Sequence, residues 1–415
     1  MIRETHSREA AGLELSRGTS HLLAARALRD FGDGFVAILL PVYLLKLGFS
    51  PLQVGVIATA SLLGSALLTI GIGLIGGRHD YRRLLLCAAS LMVATGVAFA
   101  FVSDYALLVI VAFVGTVNPS AGSVSIFVPL EHSTLSRQVT DRDRTKVFAR
   151  YSVIGALSSA FGAFAASFPD HLSASGVGEL TAIKAMFVVY AFLGVVGGLL
   201  YARLPRHTLT SETPNAPALG PSRSIVYRLA ALFSLDAFAG GFVVQSLLAL
   251  WLFERFDLSL SSASLFFFWS GVLSAFSFPV AAWISKRVGL INTMVFTHIP
   301  SSLCLILAAV APTLTSALVL LLVRAALSQM DVPTRSSYVM AVVTPPERPA
   351  AASFTSVPRS LAAAASPALA GALFAASFQA WPLVICGALK ITYDLLLLMQ
   401  FRNIRPPEEE RAGHR

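Results

Sequence analysis

Charge is scarce in this chain: 13% of its 415 residues are charged, where soluble domains carry about a quarter. With 55% hydrophobic residues, the surface cannot be kept wetted, which excludes a soluble monomer and makes the lipid bilayer the chain's solvent and partner. Cysteine is equally sparse. Cys87, Cys304 and Cys386 stand far apart inside apolar runs, without the spacing of a metal knuckle, a redox pair or a disulfide framework, and are expected as buried packing residues. The eight histidines are scattered, most of them in loops, so neither a metal site nor the clustered ligands of a membrane enzyme is expected, and no cofactor is implied. The first twenty residues lack the apolar stretch of a cleavable signal peptide, so insertion is expected to begin with the first membrane helix.

What charge there is leans positive, with 31 Lys and Arg against 22 Asp and Glu. Basic residues that bind nucleic acid gather on one face or tail, whereas these recur in short clusters between apolar runs. They read as topology signals, and no nucleic-acid partner is expected. A hydrocarbon core about 30 Å thick needs roughly 20 apolar residues per helix. Such runs predict helices over 22–46, 52–76, 83–102, 106–131, 147–168 and 181–203, then over 224–253, 261–285, 290–311, 314–343, 351–376 and 380–402. Between the two sets, "RHTLTSETPNAPALGP" is rich in Pro, Ser and Thr and has no apolar period. The implied organisation is a segment 1–21, a first half 22–203, a linker 204–223, a second half 224–402 and a tail 403–415.

An internal repeat supports two homologous halves. "VPLEHSTLSRQVTDRDR" from Val128 aligns with "VPTRSSYVMAVVTPPER" from Val332 without a gap, placing Pro129 on Pro333 and Arg144 on Arg348 at an offset of 204. At an offset of 207, Gly34-Phe35-Val36 falls on Gly241-Phe242-Val243.

After the second helix, "GLIGGRHDYRRLLL" from Gly73 resembles the G-x-L-A-D-R-x-G-R-[RK] loop of the major facilitator superfamily, with a weaker echo in "AWISKRVGL" from Ala282. Gly77 stands where the motif has Asp, Asp80 where it has Gly and Tyr81 where it has Arg, while Arg78, Arg82 and Arg83 remain. "GGFVVQSLLALW", "LINTMVFTH" and "QMDVPTRSSYVMAVV" are similar to a prokaryotic branch of that family with no assigned substrate. The resemblance implies an all-α membrane protein of twelve transmembrane helices in two pseudo-symmetric six-helix bundles. Between them it implies a cavity lined mainly by the first, fourth, seventh and tenth helices, with alternating access by rocking. It implies a monomeric, proton-coupled secondary transporter of a small organic solute in the plasma (inner) membrane, and not an enzyme, with export the favoured direction. The alternatives are uptake of an organic anion by proton symport, or a non-transporting membrane sensor on the same fold. No phosphate-binding loop for ATP is present, which leaves an ion gradient as the driving force.

Ionisable groups inside a membrane are costly and face a cavity or a partner. "RALRDFGDGF" places Arg26 with Asp30, and Arg29 with Asp33, four apart on the first helix. Asp33, roughly 16 Å in from Leu22, is the first candidate for proton coupling, Asp236 on the seventh helix the second, and Asp30 a third. The competing reading is neutralisation: Asp30 and Asp33 by Arg26 and Arg29, and Asp236 by Arg228 or by another helix. On the tenth helix Arg324, Ser328, Asp331 and Arg335 form one stripe. Arg324 and Arg359 are candidates to hold an anionic group, with pairing to Asp236 or Asp331 as the competitor, and Asn118, Ser120 and Gln245 complete the expected substrate-binding set. Glu131, which the repeat sets opposite Arg335, is expected in a gate with Asp331, Arg335, Arg78, Arg82 and Arg83, paired either across the halves or within each. Lys390 and Asp394, four apart, are expected to pair with each other.

Orientation follows from the loops that hold Lys and Arg, because positive loops stay cytoplasmic. Both termini are expected inside. Tags at both ends should be protected from external probes in intact cells, and a reporter at Ser175 should be accessible from outside; a reporter at Ser175 that reads as cytoplasmic overturns the topology.

Overall fold

Hydrocarbon offers no partner for a peptide group, so a chain this apolar crosses it as helices whose backbone bonds are internal. A computed structural model of the protein describes the backbone of residues 2–75, 79–121, 125–138, 141–205, 219–402 and 404, and among these there is no strand. The first half runs through α1 (Ile2–Lys46), α2 (Pro51–Ile75), α3 (Tyr81–Phe101), α4 (Tyr105–Val114), α5 (Phe127–Gln138), α6 (Asp141–Ala165), α7 (Phe168–Ala174) and α8 (Glu179–Ala202). The second comprises α9 (Arg223–Gly241), α10 (Gln245–Phe256), α11 (Leu260–Val288), α12 (Leu290–Ala309), α13 (Leu314–Ser328), α14 (Asp331–Val342), α15 (Arg348–Ala375) and α16 (Trp381–Phe401). Taken as spans these are twelve, in two pseudo-symmetric six-helix bundles. Nine stretches among the described residues are long and apolar enough to cross a membrane. The other three spans are the charge-bearing α1, the interrupted α4–α5 and α15.

Several ends follow from local chemistry. Asp80, at the motif position where the superfamily has Gly, caps α3 by accepting the Arg82 N–H at 3.1 Å. Asp104 caps α4 through the Leu107 N–H at 2.9 Å, satisfying donors that the first turn leaves free. Gly289, with φ of +88°, reverses the chain between α11 and α12 in a conformation that a Cβ would strain. Helix α1 starts far earlier than the expected residue 22, since "REAAGLELSR" is built of strong helix formers and extends the span backwards.

Three expected single helices are interrupted. In the tenth span the ring of Pro333 is incompatible with the carbonyl four residues back, that of Gln329, and α13 ends at Ser328 before α14 begins at Asp331. The fourth span is likewise interrupted ahead of Pro129, α4 ending at Val114, before Pro119, and α5 beginning at Phe127. The repeat offset of 204 carries the ends of α5, Phe127 and Gln138, onto the ends of α14, Asp331 and Val342. The seventh span breaks after Gly240-Gly241, between α9 and α10. Broken backbone at membrane depth is tolerated where it is buried in protein or lines a cavity.

Small residues allow the closest helix crossings. A Cβ on Gly34 would meet the Ser159 carbonyl and one on Gly162 the Phe31 carbonyl, which fuses α1 to α6. Between the halves, α2 crosses α15 where Gly55 Cβ would stand 3.0 Å from Gly371 Cα, and Ala368 N–H donates to Thr59 Oγ1 at 3.0 Å. Ser246 N–H donates to the Pro119 carbonyl at 3.0 Å, and Ser261 donates from its N–H to Asp170 at 3.0 Å. Of these contacts, those at Gly55, Thr59, Gly371 and Asp170 lie toward the end remote from the chain termini. Outward faces carry exposed Phe101, Phe192, Phe296 and Met399, as lipid-facing surface should. Cys87 belongs to such a surface and is exposed, against expectation; Cys304 is half-buried and Cys386 buried. The motif residues Gly77 and Arg78, most of the linker (206–218) and the tail from 405 lie outside the described residues.

At the terminus end, Glu347 accepts from Ser222 Oγ at 2.6 Å, and from the Thr344 hydroxyl and the Gly220 N–H. It ties the end of the linker to the start of α15. These donors, Ser222 first, hold its carboxyl below the usual carboxylate range. A depressed folded-state pKa contributes stability above the unfolded value, and that contribution is lost as pH falls through the folded one. Glu347→Gln should therefore lower the melting temperature of the detergent-purified protein at neutral pH and converge with the parent as the pH drops below the carboxylate range; an unchanging difference across pH contradicts this.

Candidate functional site

Between the two halves lies a cavity of about 590 Å³ with many polar and charged side chains on its wall, a size that suits a small organic molecule. From the first half Arg26, Asp30, Ser120, His132 and Tyr151 reach its wall. From the second come Asp236, Gln245, His298, Arg324, Ser328, Arg335, Arg359 and Lys390. The residues that line it come from α1, α5 and the α4–α5 break, α9, the start of α10, and α13–α14, which are the first, fourth, seventh and tenth spans, with α2, α6, α11, α12, α15 and α16 filling the corners.

In the first half one guanidinium organises three acids. Arg29 lies 3.0 Å from Glu131, 3.1 Å from Asp30 and 3.8 Å from Asp33, with Arg26 at 2.6 Å from the other Asp30 oxygen. The two expected four-residue pairs of α1 therefore both exist. Glu131 is fully buried and receives two further donors, Tyr151 Oη and Tyr201 Oη, each at 2.5 Å. Asp33, 2% exposed, has the thinnest support: Arg29 at the longest of the three distances and the Tyr190 hydroxyl at 3.3 Å. Asp33 does not reach the cavity wall; Asp30, one residue after Arg29, does.

The second half inverts the pattern, with one acid organising several bases. Asp236 lies 2.6 Å from Lys390 Nζ and 3.1 Å from Arg335, with His298 Nε2 at 3.8 Å. Arg335 also holds Asp331 at 3.0 Å. His298 Nδ1 sits 3.1 Å from both oxygens of the wholly buried Asp394, and its Nε2 lies 3.3 Å from Lys390. With the ammonium able only to donate, Nε2 accepts and Nδ1–H points to Asp394.

This geometry decides between some sequence expectations and corrects others. Of the two arrangements expected for Glu131 and Arg335, the structure has the pairing within each bundle, Glu131 with Arg29 and Arg335 with Asp236, and not the pair across the halves. Lys390 and Asp394 do not pair with each other: on α16 the ammonium turns to Asp236 and the carboxylate to His298. Of the two expected sources of neutralisation for Asp236, it is the other helices, through Arg335 and Lys390, and not Arg228, that supply it. Asn118 is buried beside the cavity and not on its wall, its Oδ1 accepting the Ser120 N–H at 2.9 Å. Arg324 has no carboxylate partner among the described residues, so pairing with Asp236 or Asp331 is not made. Arg359 forms no ion pair among them either, and its buried Nε lacks a hydrogen-bond partner. Arg82 and Arg83 stand at the start of α3 without an ion pair among the described residues.

Sequence reasoning missed His298, Tyr151, Tyr190 and Tyr201. The signal for His298 was present, since a His in the middle of an apolar helix needs a partner. The tyrosines carried none, because their rings are at home in any membrane helix.

A profile described as Major Facilitator Superfamily matches residues 22–329 and 230–415. An uncharacterized membrane protein of Saccharomyces cerevisiae is 22% identical over 426 residues, covering 94% of this chain and 95% of its own length. Among solved structures, the inward-open xylose transporter XylE from E. coli is similar with a TM-score of 0.74 at 14% identity, over 95% of this chain and 99% of that one. The human organic anion transporter TETRAN is similar at 0.64 and 16% identity, over 92% and 99%. At such identities the likeness is one of fold.

The pairing pattern is open to a double-mutant cycle on melting temperature. Arg29→Gln and Glu131→Gln should be strongly coupled, each alone costing about 3–5 kcal/mol because it strands a buried charge. Glu131→Gln and Arg335→Gln should be additive. Coupling of the second pair as large as that of the first contradicts the arrangement.

Proposed function

Because the chain belongs to the major facilitator superfamily, we propose that it is a secondary transporter of a small solute that works by alternating access and couples transport to protons at Asp33. Its fold and family are those of transporters and not of enzymes. The reading rests on a polar cavity enclosed by two pseudo-symmetric bundles in a multi-pass membrane protein. Loop charge supports cytoplasmic termini. With that orientation, the inter-half contacts at Gly55, Thr59, Gly371 and Asp170 close the outer end, and the cavity faces the cytoplasm. Arg82, Arg83, Asp331 and Arg335 then belong to the inner end, where a gate would form when the bundles rock. The stretches around Gly240, Leu290 and Gln329 are what support a prokaryotic branch.

A single imbalance carries the proton assignment. The buried cluster of the first half has two guanidinium groups, Arg26 and Arg29, against three carboxylates, Asp30, Asp33 and Glu131. One negative charge is left over in a medium that penalises it. Glu131 has a guanidinium and two hydroxyls, and Asp30 has two guanidiniums, so the uncompensated charge resides on Asp33. A proton there restores neutrality without breaking any shorter contact. The Arg29 contact that would otherwise keep Asp33 ionised is already drawn toward Asp30 and Glu131. Asp236, between a lysine and an arginine, is far better compensated and is the second choice.

Asp33→Asn mimics the protonated state. In proteoliposomes screened with organic acids, amines and sugars under an imposed pH gradient, it should abolish pH-driven accumulation and keep solute exchange in the absence of a gradient. Full pH-driven accumulation by the variant moves the role to Asp236 or Asp30 and leaves Asp33 as a structural partner of Arg29.

A further inference from the structure

We infer that the cavity takes an organic anion and that Arg324 is the residue that meets its negative group. The inference rests on the transporter reading above for its role in coupling, but the binding it claims stands on the cavity alone.

Arg324 is the eleventh residue of α13, about 15 Å along the span, and its side chain lines the cavity. Of the other cavity-lining cations, Arg26 is matched by Asp30, Arg335 by Asp236 and Asp331, and Lys390 by Asp236, while Arg359 too lacks an ion pair among the described residues. Arg324 has no acid within ion-pair distance among the described residues, and the ionisable side chains that act on it are the thiols of Cys304 and Cys386. Nor is there an acid to spare. The interior of the second half holds four cations, the buried Arg335 and the partly buried Arg324, Arg359 and Lys390, against three buried carboxylates, Asp236, Asp331 and Asp394. The Arg and Lys side chains exceed the carboxylates by one, the opposite of the first half. Arg359, near Arg335 but also near Asp236 and Asp331, is a second cation on the cavity wall, and its buried Nε has no hydrogen-bond partner.

A guanidinium in a membrane span without a counter-charge is costly. A carboxylate, phosphate or sulfonate group neutralises it through two parallel hydrogen bonds, and a cavity of about 590 Å³ has room for an organic body behind that group. A cationic substrate would add to the excess, and a neutral one would leave it. The two imbalances also explain coupling. An anion at Arg324 neutralises the second half and a proton at Asp33, behind the cavity wall, the first, so the loaded protein has neither surplus.

The test uses detergent-purified full-length protein and two matched probe pairs, benzoate with benzamide and phenyl phosphate with phenol, read by thermal unfolding. The anionic member of a pair should stabilise and the neutral one should not. Arg324→Gln should abolish the effect and Arg324→Lys should retain part of it. Equal stabilisation by the neutral member, or an anion effect that survives Arg324→Gln, overturns the inference. If neither pair binds, thiol kinetics decide. Ser328→Cys, placed on the cavity wall in a chain with its three cysteines replaced by serine, should react faster with anionic sulfonatoethyl than with cationic trimethylammonioethyl methanethiosulfonate, normalised to free cysteine. That preference should be about tenfold and should collapse with Arg324→Gln; no preference, or one indifferent to Arg324, overturns the inference. Counterflow in proteoliposomes separates the two claims. A neutral solute exchanged equally by parent and Arg324→Gln defeats the anion assignment and leaves transport standing, whereas a stabilising anion that is never exchanged defeats transport and leaves the binding site standing.

Discussion

A charge buried in hydrocarbon must find its opposite nearby, and the interior of this protein is organised by two solutions to that demand. At the repeat offset of 207, Arg29 of the first span falls on Asp236 of the seventh. At the offset of 204, Glu131 falls on Arg335. The pairs Arg29–Glu131, at 3.0 Å, and Asp236–Arg335, at 3.1 Å, therefore occupy equivalent places in the two halves with their signs exchanged. Around each, the further partners follow the hub: acids gather on Arg29, and Lys390 and His298 on Asp236. The last span of each half contributes a donor to the acid on its first span, Tyr190 to Asp33 and Lys390 to Asp236. Two related bundles have kept the geometry of an ion pair while inverting its polarity.

Much of this could be read from sequence, for a physical reason. A bilayer imposes one length and one polarity on every span, so apolar runs located all twelve, and boundaries such as 51, 260, 290 and 314 fell within a residue of expectation. The repeat was legible too, and it correctly flagged Glu131 and Arg335 as equivalent. It was silent on partners, because equivalence by pseudo-symmetry is not proximity. The four-residue spacing worked on α1, where Arg26–Asp30 and Arg29–Asp33 meet, and failed on α16. There stronger partners on other helices, Asp236 and His298, took Lys390 and Asp394 away from each other. Local spacing predicts a pair only when no other helix offers a better one.

The breaks were hidden for a different reason. Hydropathy sees continuous apolar sequence through Pro119, Gly241 and Gln329 and has no means of registering that the backbone stops being helical there. The tertiary structure makes use of those stops: freed backbone at Pro119 and Ser246 bonds directly across the two halves. The prolines at 129 and 333, each two residues inside its new helix, give the local cause.

How the charges are distributed also bears on movement. Rocking two bundles against each other is cheap only if little is broken as they part. Breaking a buried ion pair by removing a partner costs about 3–5 kcal/mol, whereas an ordinary hydrogen bond contributes about 0.5–1.5. Among the described residues the buried ion pairs lie within one helix or join helices of the same half, so each cluster travels intact with its bundle. The seam between halves is made of other things: glycine and alanine at Gly55, Gly371, Ala160 and Gly271, a backbone bond from Ser246 to Pro119, a hydroxyl at Thr59, and the Ser261–Asp170 contact at one end of the bundle. Had Glu131 and Arg335 paired across the cavity, each cycle would have had to strand both in a low-dielectric interior. Pairing within the halves removes that barrier, because the charges of each cluster keep their partners whichever way the bundles face.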